Sequence, residues 1–146
     1  MKRKRAVCLA NAIAAILFAS TLMRAQDVTI VVHRTVSVSQ ISETELRDIF
    51  TGARYRFSDG SRAIPVLLKG GPAHEVFLHR HIGDTSDEFR ARWRKAVFTG
   101  QGSMPKEFSS EEAMLTYIEA TPGAIGYVSR APANQTVKLL TVSGKR

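Results

Sequence analysis

The chain has one cysteine among its 146 residues, Cys8, and none after it. A disulfide and thiol chemistry are therefore excluded from the bulk of the protein. Such a chain suits an oxidising compartment outside the cytoplasm. No internal repeat or low-complexity tract follows the first 25 residues, and no Gly-x-Ser-x-Gly elbow or recognisable carboxylate pair is present. The four histidines do not make a metal motif. His74, His79 and His81 stand five and two apart, whereas a helix presents paired ligands at i and i+4. No cofactor, no metal and no catalysis are expected.

Acidic residues are scarce, 13 against 21 basic, for a formal charge of +8. The excess is local. Residues 1–25 hold Lys2, Arg3, Lys4, Arg5 and Arg24 and no acid, so the remainder carries 16 basic and 13 acidic residues, net +3. A basic start followed by "AVCLANAIAAILFAS" reads as an export signal, with an uncleaved membrane anchor as the alternative. The expected location is outside the cytoplasm. So small a mature charge argues against nucleic acid as a partner. The 44% hydrophobic and 23% charged content fit one folded domain.

"VTIVV" (28–32), "AIPVLL" (63–68), the end of "TPGAIGYV" (121–128) and "TVKLLTV" (136–142) read as strands. Helices are expected from Ser42 with Glu45, from Pro72, from Thr85 with Glu88, and from Ser109 with Glu112. In the third helix Phe89, Trp93, Ala96 and Val97 share one face, surrounded by Arg90, Arg92, Arg94 and Lys95. The order β-α-β-α-α-α-β-β predicts an α/β fold, a mixed or largely parallel sheet flanked by helices.

Three stretches could hold a ligand. "LLKGGPAHEVF" (67–77) runs from a strand through two glycines into a helix, which can offer backbone N–H groups to an anion. Lys69, Gly70, Gly71, Ala73 and His74 are its candidates; a tight turn needing glycine explains it equally. Thr35 and Ser37 follow the first strand, and Thr99, Gly100 and Gln101 lie in a glycine-rich loop. Each of these could instead be a plain connection. No Gly-Lys-Ser/Thr follows, so a nucleotide phosphate loop is excluded.

"SETELRDIFTGARYRFSDGSRAIPVLL", "RWRKAVFTGQGSMPKEF" and "EAMLTYIEATPGAIGYV", in this order, resemble the short phosphate-transporter-type periplasmic substrate-binding proteins. The likeness spans roughly residues 28–130. It implies a periplasmic-binding-protein-like domain over 26–146, after a signal peptide at 1–25. Full-length relatives have two lobes with the anion between them; this chain has length for a single lobe. The resemblance places "KGGPAH" (69–74) where phosphate-binding relatives carry a Ser-Gly-Thr-type turn. Here the hydroxyls are gone, and Pro72 removes an amide. It implies a non-enzyme that binds a small phosphate-like anion, with a membrane transporter or sensor as partner and a homodimer as one way to supply a second wall. The alternative is a periplasmic interaction or sensing module that kept the fold without transport.

Overall fold

In a computed structural model the described residues are 27–144; the expected export signal lies outside them. Six strands alternate with four helices: β1 (Thr29–His33), β2 (Gln40–Ser42), α1 (Glu43–Phe50), β3 (Ile64–Leu68), α2 (Pro72–Phe77), α3 (Ser86–Phe98), β4 (Lys106–Phe108), α4 (Glu111–Ala120), β5 (Ala124–Val128) and β6 (Val137–Ser143). A π-helical turn, Leu78–Ile82, prolongs α2 to Gly83. The strands form one mixed sheet in the order β2-β6-β1-β5-β3-β4. The α/β expectation is met.

Strand direction positions everything that follows. β3 runs parallel to both β4 and β5, while β1 is antiparallel to β5 and β6. Thr29 pairs with Val128, and Ile64 pairs with Ala124. The end of β1 therefore lies beside the starts of β3 and β5, and its start lies beside their ends.

Each face of the sheet has its own helices. On one, Tyr127 of β5 stacks on Phe77 with ring centroids 3.9 Å apart, and Phe50 of α1 closes the cluster. On the other, Gly126 lets α4 approach so closely that a Cβ there would stand 2.8 Å from both Ile118 Cδ1 and Met114 Sδ. All five β5 residues are buried, as expected of a strand covered on both faces.

The helix starts follow local chemistry. Thr85 and Glu88 make both halves of a capping box. Ser42 caps α1 by accepting the Glu45 N–H, but the reciprocal half expected there is absent, because the Glu45 carboxylate turns to Arg54 at 3.5 Å. For α4 the cap is Ser110, which accepts the Ala113 N–H, one residue beyond the expected Ser109. Along α3 only Phe89 and Trp93 are buried and Ala96 packs partly; Val97, expected on the same face, is exposed. Strands β2 and β4, three residues each, were not expected: both are short edge strands held by parallel partners.

Candidate functional site

The ends of β5, β3 and β4 meet at one edge of the sheet. After β3 the chain turns through Lys69–Gly71 into α2, and after β4 through Ser109–Ser110 into α4. These helices leave toward opposite faces, so a notch opens between the ends of two neighbouring parallel strands. Ligands in open α/β sheets bind at this kind of place. The notch has a volume of ≈370 Å³; Gly70, Gly71, Ala73, Ser109, Ser110 and Ser129 line it, with Asp27 and Glu111.

Backbone needs explain part of its wall. Gly71 is the N-cap of α2 at φ 96, a conformation that favours glycine, and no side chain caps this helix. Its first-turn N–H groups thus have no capping acceptor. The turn is tied down on both sides: the Lys69 N–H donates to Phe108 O at 2.9 Å, and Arg90 Nη2 donates to Lys69 O at 3.0 Å. The Lys69 side chain is exposed and does not line the notch.

The electrostatics are mixed. Glu111, the first residue of α4, accepts the Ser129 N–H at 2.9 Å and the Ser129 hydroxyl at 3.1 Å. An internal carboxylate therefore already occupies two of the donors at the end of β5. Asp27 pairs with Arg80 at 3.4 Å. Among the described residues no basic side chain lines the notch; what they offer an anion is amides and hydroxyls.

Of the expected ligand residues, Gly70, Gly71 and Ala73 reach this notch and the others do not. His74 turns inward: its Nδ1 meets the Tyr127 hydroxyl at 2.5 Å, and that hydroxyl accepts the Leu68 N–H at 3.1 Å. Burial lowers the His74 pKa and raises that of Tyr127, so the pair is neutral and structural. Thr35 and Ser37 follow the end of β1, at the opposite edge of the sheet from Gly70. There Thr35 folds over His33, with Oγ1 2.7 Å from Nδ1, and Lys138 Nζ donates to Ser37 O at 3.0 Å.

Thr99, Gly100 and Gln101 also lie at that far edge, near the start of β3, where Tyr55 donates to Gln101 O at 2.8 Å. Their amides are spent on the end of α3: Thr99 N–H donates to Lys95 O, Gly100 N–H to Val97 O, and Gln101 N–H to Ala96 O. That is a Schellman closure, which leaves these three amides no free N–H for an anion. Strand direction thus keeps loops 33–37 and 99–102 at the opposite edge of the sheet from Gly70–Ala73.

The residues that sequence reasoning missed are Ser109, Ser110, Ser129, Asp27 and Glu111. Only Ser129 carried a usable signal, as the first residue after a legible strand.

No protein-family profile matches the chain. Among solved structures, its fold is similar to that of a Clostridium perfringens protein assigned as a phosphate ABC transporter substrate-binding protein, with bound phosphate, at TM-score 0.63 and 15% identity. That alignment covers 79% of this chain and 44% of the other. An ABC-type phosphate transport receptor from Vibrio cholerae matches at TM-score 0.59 and 15% identity, over 79% of this chain and 45% of that one. The chain thus has a substrate-binding-protein-like lobe and spans less than half the length of these proteins. Among the described residues no helix is long and apolar enough to cross a membrane, and no group of three or more His, Cys, Asp or Glu could hold a metal.

Proposed function

We propose that this protein is an exported solute-binding lobe that takes a small phosphate-like oxyanion in the notch between β3 and β4. One observation carries the reading: the uncapped Gly70–Ala73 turn faces Ser109, Ser110 and Ser129 at the ends of three parallel strands. Hydroxyls missing from the turn itself stand in the turn after β4, at Ser109 and Ser110, while the Ser129 donors are held by Glu111. The fold shared with phosphate-transport proteins supports the same assignment. The described residues form one wall of the site, and a membrane transporter, a sensor or another copy is the proposed source of a second.

Glu111 sets the selectivity. Its carboxylate repels a fully ionised anion and accepts a hydrogen bond from a protonated one. Monohydrogen phosphate is therefore preferred over sulfate, with affinity limited by the absence of a cation. Isothermal titration with phosphate, sulfate and small carboxylates tests this. Phosphate is expected to bind at millimolar concentration, and Glu111→Gln is expected to tighten sulfate several-fold. No heat and no thermal stabilisation with any of these anions rejects the reading.

The second reading, a periplasmic interaction module, draws on a different surface. Phe98 is 92% exposed, and with Val97 and Met104 it lines an open groove beside Arg90 and Arg94. Trp93 is not part of that surface, being buried with its Nε1–H donated to Phe50 O at 3.1 Å.

A further inference from the structure

A second cavity, of ≈620 Å³, opens at the opposite end of the sheet from the notch, between the start of β3 and the loop after α3. Ile49, Ala63 and Met104 give it apolar walls, and Trp93 and Tyr55 add aromatic ones. The polar atoms of both rings are already satisfied: Trp93 Nε1–H donates to Phe50 O and the Tyr55 hydroxyl to Gln101 O. What they offer a ligand is therefore apolar surface, chiefly that of Tyr55, since Trp93 is only 3% exposed. Glycine keeps the space between them open, since a Cβ at Gly102 would stand 3.3 Å from Trp93 Cζ3 and 3.9 Å from Tyr55 Oη.

The charge at this cavity has one sign. Arg56 and Arg62 both line it, and they are bridged directly opposite each other in antiparallel pairing. Like charges so placed repel. Neither arginine makes an ion pair among the described residues, and no Asp or Glu lines the cavity. Arg56 Nη1 donates to Gly60 O at 2.8 Å, a contact that holds the side chain without neutralising it. Lys106 also lines the cavity, but its ammonium lies 4.7 Å over the Tyr117 ring of α4. The two guanidinium groups suit planar, bidentate recognition of a carboxylate or phosphate, and the Lys106 ammonium, which its ring contact does not neutralise, adds to the positive potential.

We propose that this cavity binds an organic anion, with an apolar or aromatic body against Trp93 and Tyr55 and a carboxylate or phosphate head on Arg56 and Arg62. A bare inorganic anion leaves the apolar walls unused. The site is separate from the notch and independent of what binds there.

Trp93 is the sole tryptophan of the chain, so its emission reports on the cavity directly. The purified protein is titrated with octanoate and phenyl phosphate, with octanol and inorganic phosphate as comparisons. A saturable emission change with either organic anion, and none with inorganic phosphate, is expected. The affinity should fall at least tenfold in Arg62→Gln and further in the Arg56→Gln/Arg62→Gln double variant. Arg62→Gln leaves the Arg56–Gly60 contact intact, so thermal stability is expected to stay unchanged while binding is lost. The proposal is overturned by no saturable change with either organic anion, by an equal response to octanol or inorganic phosphate, or by unaltered affinity in the arginine variants.

Discussion

His81 is buried, and neither of its ring nitrogens has a hydrogen-bond partner among the described residues. The Phe77 ring lies 5.7 Å away and the Glu43 carboxylate 3.9 Å away. Burial is the main cause that lowers its pKa; Glu43 and Asp27 oppose the shift and Arg80 adds to it. His74 is lowered by burial as well. The sign follows from proton binding. Well above about pH 6.5 both imidazoles are neutral folded and unfolded, so neither adds a pH dependence. As pH falls below that value the unfolded chain takes up protons that the native state refuses, so stability is lost, by at most about 1.4 kcal/mol per pH unit for each imidazole. Thermal denaturation between neutral pH and about pH 5 should show a falling midpoint, and His81→Leu should flatten the slope. An identical slope in both proteins would show that His81 does not carry the effect.

At the scale of elements, β5 and the turn before it meet two kinds of neighbour. Gly126 faces the ends of flexible side chains, Ile118 Cδ1 and Met114 Sδ. Gly123 faces the backbone carbonyl of Arg62 and holds φ at +85. Side chains can shift; a strand-forming carbonyl cannot. Gly126→Ala is therefore expected to cost about 1–3 kcal/mol by overpacking. Gly123→Ala should cost more, because left-handed strain of about 1–2 kcal/mol is added to an unyielding clash. Urea denaturation of both variants measures the order, and a reversed order would contradict this account.

The same scale separates what the sequence made legible from what it hid. Thr85–Glu88, Pro72 and the apolar run before Lys69 are local signals, and each begins or ends an element where expected. β2 and β4 are three-residue edge strands whose pairing depends on distant partners, so no local period reveals them. Without β4, Ser109 and Ser110 had no strand end to follow. Gly70, Gly71 and Ala73 were readable because a turn chemistry is local. Their serine neighbours come together only through strand order.

For the whole molecule, charge and apolar exposure are unevenly placed. The notch is lined by two carboxylates and no base, while the far cavity is lined by bases and no carboxylate. Beside that cavity Phe98 stands almost wholly in solvent. Its removal should leave the fold intact: Phe98→Ser is expected to change stability by no more than about 0.5 kcal/mol. If the groove beside Arg90 and Arg94 docks a partner, the same variant should lose crosslinked capture of that partner. A large fall in the denaturation midpoint would assign Phe98 to the core instead.

The antiparallel placement of β1 also bears on how the chain comes together in time. This central strand pairs with β5 and β6, with Thr29 beside Val128 and Ile30 beside Leu140. Nearly the whole chain must be synthesised before β1 has a neighbour on either side. Contacts so distant in sequence close slowly, after a large loss of chain entropy. A nascent chain stopped before Ala124 lacks both β5 and β6, the two strands that flank β1. Such a chain acquires its final shape only after the last strand has been synthesised.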